Sequence, residues 1–349
     1  MALVDRDLLS LMRGPRRMPA RWAAVLESLR NGGVPWTKTA AWSTACQQAL
    51  TRGGALALGQ PVLFAQTLPA CVLPGTLRYG IYTDRVGREG AATGGPFASR
   101  FSAAWLQREE AFLCGAHRIY VMGPTTKTVL MRQYGIPEGR VVVVGAGPNA
   151  PLGPAVARSS CRRLLFVGTN WALKGGPELL RAFAGVRRDH PQLELLLVGG
   201  EPSGPLPPRV RAVGRVPHTH MDALYDQADL LVIPTHQEAF GIALVEGLMK
   251  GLPCIASTVG NQPWIVGDAG ICVAPGDVAA LEEALRRVIR AYAIYHERAL
   301  VRGRLLREKL RWGSVAGVIV RDLVCGDIAS TQDLQLSTVC YVQLDSVQL

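Results

Sequence analysis

Two glutamates eight positions apart, Glu238 and Glu246, are the residues whose type and spacing most clearly indicate chemistry. The pattern around them predicts a strand over 230–234, a loop with Glu238, and a helix from near Gly241 to Gly251. At about 1.5 Å per helical residue, the glutamates lie about 10 Å apart. That distance suits a sugar and a ribose joined through a diphosphate, with Gly241 letting the backbone approach the ligand closely. The alternative is that Glu246 lies on the exposed stripe of an amphipathic helix.

A cation stands at a second strand end. The strand predicted over 164–168 is followed by a short loop, then by Lys174 and two glycines that open a helix. Free N–H groups and a partial positive charge at a helix start suit a phosphate, and Lys174 adds a full charge. Taken alone, Lys174 is more typical of a surface lysine before a helix. The P-loop pattern G-x-x-x-x-G-K-[ST] is absent.

The elements that must position these residues form a strand–helix alternation. Continuous Val, Ile and Leu runs predict strands that are covered on both faces, which is typical of parallel sheets. Such runs occur at 61–66, 78–83, 117–122, 141–145, 164–168, 193–199, 210–213, 230–234 and 254–257. The Gly- and Pro-rich segment 145–154 predicts a linker, and a second α/β series starts at Cys161.

Length and composition agree with two domains. The chain has 349 residues, of which 48% are hydrophobic, enough for two cores. No apolar run reaches the roughly 18 residues that span a bilayer, and the N-terminus lacks a signal-peptide pattern. Eight cysteines occur without any C-x-x-C pair, which argues against a zinc cage and a disulfide scaffold. These features predict a cytoplasmic protein with reduced thiols.

The net charge of +11 is unevenly distributed. Residues 1–158 hold 18 Lys and Arg against 8 Asp and Glu, whereas residues 159–349 hold 20 against 19. Arg13, Arg16, Arg17 and Arg21 cluster in one short segment that is compatible with either a solvated face or an anionic membrane surface. Nucleic acid is disfavoured because no aromatic side chains for base stacking are interleaved with these arginines.

Taken together, the motifs resemble a known family. The pattern E-x-F-G-I-A-L-V-E-G-L-x-x-G-L-P at 238–253, downstream of F-V-G-x-x-W-x-x-K-G-G at 166–176, resembles the retaining glycosyltransferases often called family 4. The resemblance covers about residues 60–318 and is more specific in the second half. It implies the GT-B fold, in which two Rossmann-like parallel-sheet domains face a cleft. The expected domains are 1–150 on the acceptor side and 151–318 on the nucleotide-sugar side, with a disordered tail over 319–349.

The resemblance also implies roles for individual residues. The donor would be a UDP- or GDP-sugar, the acceptor a glycan, a lipid or a small molecule, and no metal or other cofactor would be obligatory. Lys174 would bind the diphosphate near Thr169, and Glu238 would hold the sugar and stabilise its developing charge. The predicted contacts of the donor nucleotide are the backbone N–H groups of Phe240, Gly241 and Ile242 for phosphate, Glu246 for the ribose, and the backbone at Val216 for the base.

The sequence departs from the family at several points. An arginine common near Thr169 is missing, Asn261 replaces a common glycine, and Trp264 replaces a common glutamate. The first domain is expected to be shortened at its N-terminus, and within it Asp84 is an acceptor-side candidate or a structural turn. These departures leave open a catalytically weakened relative that binds a nucleotide or a partner. A sugar-nucleotide epimerase is a third reading, for which the first half supplies few acid or base candidates.

Two patterns resemble metal motifs but lack the context that such sites need. Asp5-Arg6-Asp7 follows no predicted strand, and His218-Thr-His220 follows a proline without nearby partners, which predicts an exposed loop. The sequence therefore predicts no metal site.

Overall fold

The computed structural model describes most of the chain from residue 61 to residue 325. The described residues are 61–67, 70, 71, 77–92, 101–200, 202 and 204–325, together with 41, 43, 44 and 47. The arginine cluster at 13–21, the Asp5-Arg6-Asp7 pattern, the predicted N-terminal shortening and the segment beyond residue 325 lie outside them. The chain forms two units, with the division between Gly145 and Ala146 inside the predicted linker.

The first unit contains a four-stranded parallel sheet in the order β1-β2-β3-β4. Its strands are β1 Val62–Ala65, β2 Tyr79–Thr83, β3 Arg118–Val121 and β4 Val141–Val143. In its centre Ile81 pairs with Ile119, and neither side chain is exposed. Burying such a side chain stabilises the fold by about 1.5–3 kcal/mol, which explains why continuous apolar runs became strands. The helices are α1 Gly87–Ala92, α2 Ala103–Gly115 and α3 Pro124–Gln133.

The second unit contains a six-stranded parallel sheet in the order β10-β9-β8-β5-β6-β7. Its strands are β5 Arg163–Gly168, β6 Glu194–Gly199, β7 Val210–Ala212, β8 Leu230–Ile233, β9 Cys254–Ser257 and β10 Gly270–Val273. Because all strands are parallel, the loops after β5, β7 and β8 emerge at the same edge. The predicted site residues of this unit in loops therefore share one sheet edge.

Helices connect and cover these strands. They are α4 Gly176–Val186, α5 Met221–Asp226, α6 Ile242–Met249, α7 Gln262–Val266, α8 Val278–Arg290 and α9 Tyr292–Lys309. A core on one sheet face includes Phe166 and Phe183, which are fully buried. No helix among the described residues meets the length and hydropathy needed for a membrane span.

The predicted fold class is confirmed, since all nine predicted strands are present and the two sheets are parallel. Strand β10 was not predicted; it is a four-residue edge strand in which Gly270, Ile271 and Cys272 are partly buried and only Val273 is buried. Its signal, Ile271-Cys272-Val273, is too short to separate from the loop expected there.

The predicted tail boundary at residue 319 differs from the structure. Helix α10, Trp312–Val320, is followed by a further helical turn over Arg321–Cys325, and from Ala316 the chain belongs to the first unit again. Asp322 is buried and accepts hydrogen bonds from Tyr120 Oη (2.8 Å) and Arg118 Nε (3.3 Å). These buried polar contacts hold residues 319–325 in the fold, so this part of the predicted tail is ordered.

Candidate functional site

The loop after β5 delivers Lys174 to the edge of the second sheet. Gly168 ends the strand, and a Cβ there would lie 2.7 Å from Lys174 Cγ, so the glycine makes room for the lysine stem. Gly175 then takes a left-handed conformation (φ 75°) as the N-cap of α4. A Cβ on Gly175 would lie 2.1 Å from the Pro234 carbonyl oxygen, so the glycine also permits close approach of the next loop.

Thr235 fastens the loop after β8 to the loop after β5. Its hydroxyl is within hydrogen-bond distance of the carbonyl oxygens of Leu173 and Gln237, each at 2.9 Å. The His236 N–H also donates to Leu173 O (2.9 Å). Two loops that are more than 60 positions apart are thereby held together at their tips.

Lys174 and Glu238 meet where these loops join. Lys174 Nζ lies 2.6 Å from Glu238 Oε2, and the two side chains are 22% and 19% exposed. An ammonium group has three N–H donors, so this contact leaves two for a ligand. Both side chains are accessible, and they place a cation and a carboxylate at one point of the sheet edge.

The N-terminus of α6 lies next to this pair in sequence. Gly241 precedes the helix with φ 110° and provides no side-chain cap. Within the described part of the chain, the N–H groups of Phe240, Gly241 and Ile242 donate to no protein acceptor. Three unpaired N–H groups at a helix start form an arrangement that binds phosphate oxygens well.

The segment after β9 packs against the loop with Glu238 and hydrogen-bonds to it. Asn261 is fully buried, and its Nδ2 donates to Ala239 O (2.7 Å). A Cβ on Gly260 would lie 2.4 Å from Glu238 O, so a glycine here lets the backbone of this segment approach the backbone of the Glu238 loop. Asn261, which departs from the family pattern, therefore has a structural use here.

Trp264, the other departure in this segment, stands near the start of α6. Its ring lies 6.4 Å from that of Phe240 at a tilted angle. An aromatic surface has thus replaced the carboxylate expected at this position.

Glu246 has a different environment from Glu238. It is 4% exposed, which excludes the exposed-stripe alternative. Its Oε1 accepts hydrogen bonds from the N–H groups of Asn149 (2.8 Å) and Ala150 (3.0 Å), and its Oε2 accepts one from Tyr225 Oη (2.7 Å). Burial, followed by the neighbouring Glu246 carboxylate, raises the pKa of Tyr225 well above its ordinary value. The carboxylate fastens the linker to α6, and its predicted contact with a ribose stays a prediction.

The remaining predicted donor residues follow β5 and β7 at the same edge. Thr169 is exposed directly after Gly168. Gly214 accepts a hydrogen bond from Gly199 N–H (2.8 Å), which places the turn with half-buried Val216 beside the end of β6. Their roles as donor contacts stay predictions.

Asp84 lies in the first unit directly after β2, and its backbone oxygen accepts a hydrogen bond from Thr126 Oγ1 (2.8 Å). The neighbouring loops are tied by buried Glu109, which accepts hydrogen bonds from Thr67 Oγ1 (2.6 Å) and Gly87 N–H (2.9 Å). Burial raises the pKa of the Glu109 carboxyl. Asp84 therefore sits on a well-anchored turn, and its acceptor-side role stays a prediction.

Sequence reasoning missed Thr235, Tyr225 and the linker amides as parts of this site. For Thr235 a signal existed, namely a hydroxyl residue directly after a buried strand at the carboxyl edge. The amides of Asn149 and Ala150 are backbone groups, which leave no residue-type signal.

Among the described residues, Lys174 is the cation paired with Glu238, and no arginine forms an ion pair with that carboxylate. Nor do these residues contain a group of three or more His, Cys, Asp or Glu able to hold a metal ion. His218 and His220 lie exposed in a short 3₁₀ turn.

Comparison with known proteins places this geometry among glycosyltransferases. Residues 161–291 match the family of glycosyl transferases group 1. That range contains Lys174, Glu238, Glu246 and the α6 N-terminus. The match and the fold together support a GT-B glycosyltransferase.

Curated relatives agree with this family. The chain is 29% identical to the glycogen synthase of Mycobacterium tuberculosis over 68% of this chain and 60% of the relative. It is 28% identical to the D-inositol 3-phosphate glycosyltransferase of Streptosporangium roseum over 66% and 59%, respectively. The chain thus spans about three fifths of the length of these relatives.

Solved structures show the same fold. Sucrose-phosphate synthase from Thermosynechococcus elongatus aligns with a TM-score of 0.66 at 22% identity, covering 81% of this chain and 78% of that one. WaaG, a glycosyltransferase involved in lipopolysaccharide biosynthesis, aligns with a TM-score of 0.62 at 17% identity, covering 81% and 82%.

Proposed function

We propose that this protein transfers a sugar from a UDP- or GDP-sugar to a glycan, lipid or small-molecule acceptor, with retention of anomeric configuration as in family 4. The observation that carries the proposal is the accessible Lys174–Glu238 pair beside three unpaired N–H groups, within the segment that matches the group 1 family. Cation, carboxylate and helix start are the groups that a diphosphate-linked sugar requires.

In the proposed reaction, the departing diphosphate is stabilised by Lys174 and by the N–H groups of Phe240, Gly241 and Ile242. Glu238 turns from Lys174 toward the sugar hydroxyls and stabilises the positive charge that develops at the anomeric carbon. The acceptor attacks the same face that the diphosphate leaves, which retains configuration. Oriented donors of this kind contribute about 10²–10³-fold to turnover, and the proposed reaction has no obligatory metal.

The donor's remaining parts would contact neighbouring loops. We assign the base to the backbone at Val216, a phosphate oxygen to the region of Thr169, and the ribose to Glu246. Glu246 already accepts three hydrogen bonds, but two carboxylate oxygens offer about four acceptor positions, so one remains for a ribose hydroxyl. Asp84 is the proposed acceptor-side residue, and we propose a cytoplasmic protein peripheral to an anionic membrane.

A second candidate is a nucleotide- or partner-binding protein with weakened catalysis. It is favoured by the lack of an arginine in the loop sequence 169–174, and by Trp264 where a carboxylate is common. Loss of one charge-assisted hydrogen bond costs about 1.5–3 kcal/mol, enough to slow transfer without preventing binding.

A donor-hydrolysis screen across UDP- and GDP-sugars tests the first candidate. We expect release of UDP or GDP from at least one donor, and the released sugar to keep the donor's anomeric configuration when followed by NMR. Glu238→Ala should lower the release by about 10²–10³-fold. Binding of UDP or GDP without any turnover would support the second candidate, and a folded protein that neither binds nor turns over would contradict both.

A further inference from the structure

A cavity of about 780 Å³ opens at the amino ends of the strands in the second unit. Its walls come from the residues that begin or precede four adjacent strands, β8, β5, β6 and β7. Lys174 and Glu238 follow the carboxyl ends of β5 and β8, at the opposite sheet edge. The cavity is therefore separate from the candidate donor site.

Three arginines line this cavity: Arg162, Arg163 and Arg209. Glu194 organises two of them, since its Oε2 accepts from Arg163 Nε (3.1 Å) and Nη2 (3.0 Å) and its Oε1 accepts from Arg209 Nη1 (3.1 Å). The other acid, Asp229, accepts the backbone N–H groups of Arg162 and Arg163, both at 2.8 Å. Both carboxylates are thus engaged, and the lining keeps a positive excess.

The arginines also keep unused donors. A guanidinium has five N–H groups, and Arg209 spends one of them on Glu194. The Arg162 side chain is exposed and makes no hydrogen bond within the described residues. A smaller cavity of about 320 Å³ continues along edge strand β7 and adds Arg211 to its wall. Four arginines therefore line two adjoining cavities at this sheet edge.

Arg209 holds a strained backbone conformation at this point. Its φ is 66°, in the left-handed region that favours glycine, although it is a long-chain residue. Strain of this kind persists where the surrounding structure enforces it, and it concentrates at ligand sites. Arg209 directly precedes β7 in this conformation and lines the cavity.

We propose that this cavity binds a small soluble compound with two or more phosphate groups. Planar guanidiniums bind phosphate through paired hydrogen bonds, and the three arginines outnumber the two carboxylates in the lining, which favours an anionic ligand. The volume lies in the range of about 300–1,000 Å³ found for small-molecule sites. Such a ligand would act on the second unit from the edge remote from Lys174, independently of the proposed transferase activity.

The test uses inorganic pyrophosphate as the probe in isothermal titration of the full chain. Lys174→Ala is the parent variant, because it removes the cation of the donor site. We expect this parent to retain one pyrophosphate site, and Arg162→Ala or Arg209→Gly added to it to weaken that site by about tenfold or more. Arg290→Ala, an exposed arginine on α8, is the matched control and should leave binding unchanged.

Two further measurements make the outcome decisive. Arg209→Gly should keep or raise the melting temperature, because glycine relieves the strained φ, so lost binding cannot be attributed to unfolding. Sedimentation with phosphatidic acid vesicles tests a lipid headgroup as the alternative source of phosphate. The proposal is overturned if the Lys174→Ala parent binds no pyrophosphate, if the arginine variants bind like that parent, or if Arg209→Gly impairs only vesicle binding.

Discussion

The two glutamates of the same motif are used in opposite ways. Glu238 stands in a loop, accessible to solvent, and shares its charge with Lys174 at 2.6 Å. Glu246 lies in α6, the helix that follows this loop, and is 4% exposed. It accepts two hydrogen bonds from linker N–H groups and one from Tyr225. The partly exposed carboxylate can exchange its partner for a ligand, whereas the buried one holds the linker against α6 and keeps about one acceptor position for the proposed ribose contact.

This contrast assigns different consequences to the loss of each carboxylate. The Lys174–Glu238 pair is partly exposed and lies in loops, so its removal should affect chemistry more than stability. A buried carboxylate that satisfies three donors should affect folding first.

The largest expected effect is on turnover. Glu238→Ala should lower donor turnover by about 10²–10³-fold, because the stabilising carboxylate at the sugar is gone. Initial rates of UDP or GDP release measure this effect. The urea midpoint of the variant should stay close to that of the parent protein. A large loss of stability with normal turnover would show that Glu238 supports the fold and not the reaction.

Glu246→Ala should lower the free energy of unfolding by about 3 kcal/mol. Three donors would lose their acceptor, and the two buried ones, Ala150 N–H and the Tyr225 hydroxyl, would each cost about 1–3 kcal/mol. Urea denaturation followed by circular dichroism measures the change. Glu246→Gln, which keeps one acceptor oxygen, is the control and should lose less.

A smaller effect is expected from Tyr225→Phe, which removes one of the three donors and keeps the packing. It should lower the free energy of unfolding by about 1 kcal/mol and leave more than half of the turnover. A loss of turnover as large as that of Glu238→Ala would show that Tyr225 contacts the donor itself.

The smallest expected effect is on the pH dependence of stability, through the segment that follows the linker. His296 Nε2 accepts the Arg158 N–H (3.0 Å), and burial lowers the pKa of His296 below its ordinary value of 6.5. A depressed folded-state pKa means that the stability is present above pH 6.5 and is lost as the pH falls below it, because the unfolded chain takes up the proton first. The melting temperature should therefore fall between pH 7.5 and 5.5, and fall less in His296→Gln. An equal fall of the melting temperature in both proteins would show that the hydrogen bond from Arg158 N–H to His296 does not contribute to stability.

The sequence predicted the parts of this contrast that residue types encode. Apolar runs predicted nine of the ten described strands, and the glycines after β5 predicted the start of α4 next to Lys174, the residue that contacts Glu238. It could not predict the partners of Glu246, because Asn149 is 97 positions away and contributes a backbone amide. The short, half-buried β10 and the ordered segment 319–325 were missed because long-range packing, not local pattern, fixes them.

The central claim is that the Lys174–Glu238 edge of the second unit binds a nucleoside diphosphate. Isothermal titration with UDP and GDP, in the parent protein and in Lys174→Ala, tests it most directly. We expect the parent protein to bind at least one of the two nucleotides. Lys174→Ala should bind that nucleotide about tenfold more weakly or worse, as loss of one charge-assisted hydrogen bond implies. Equal affinity in both proteins, or no binding by a folded parent, would contradict it.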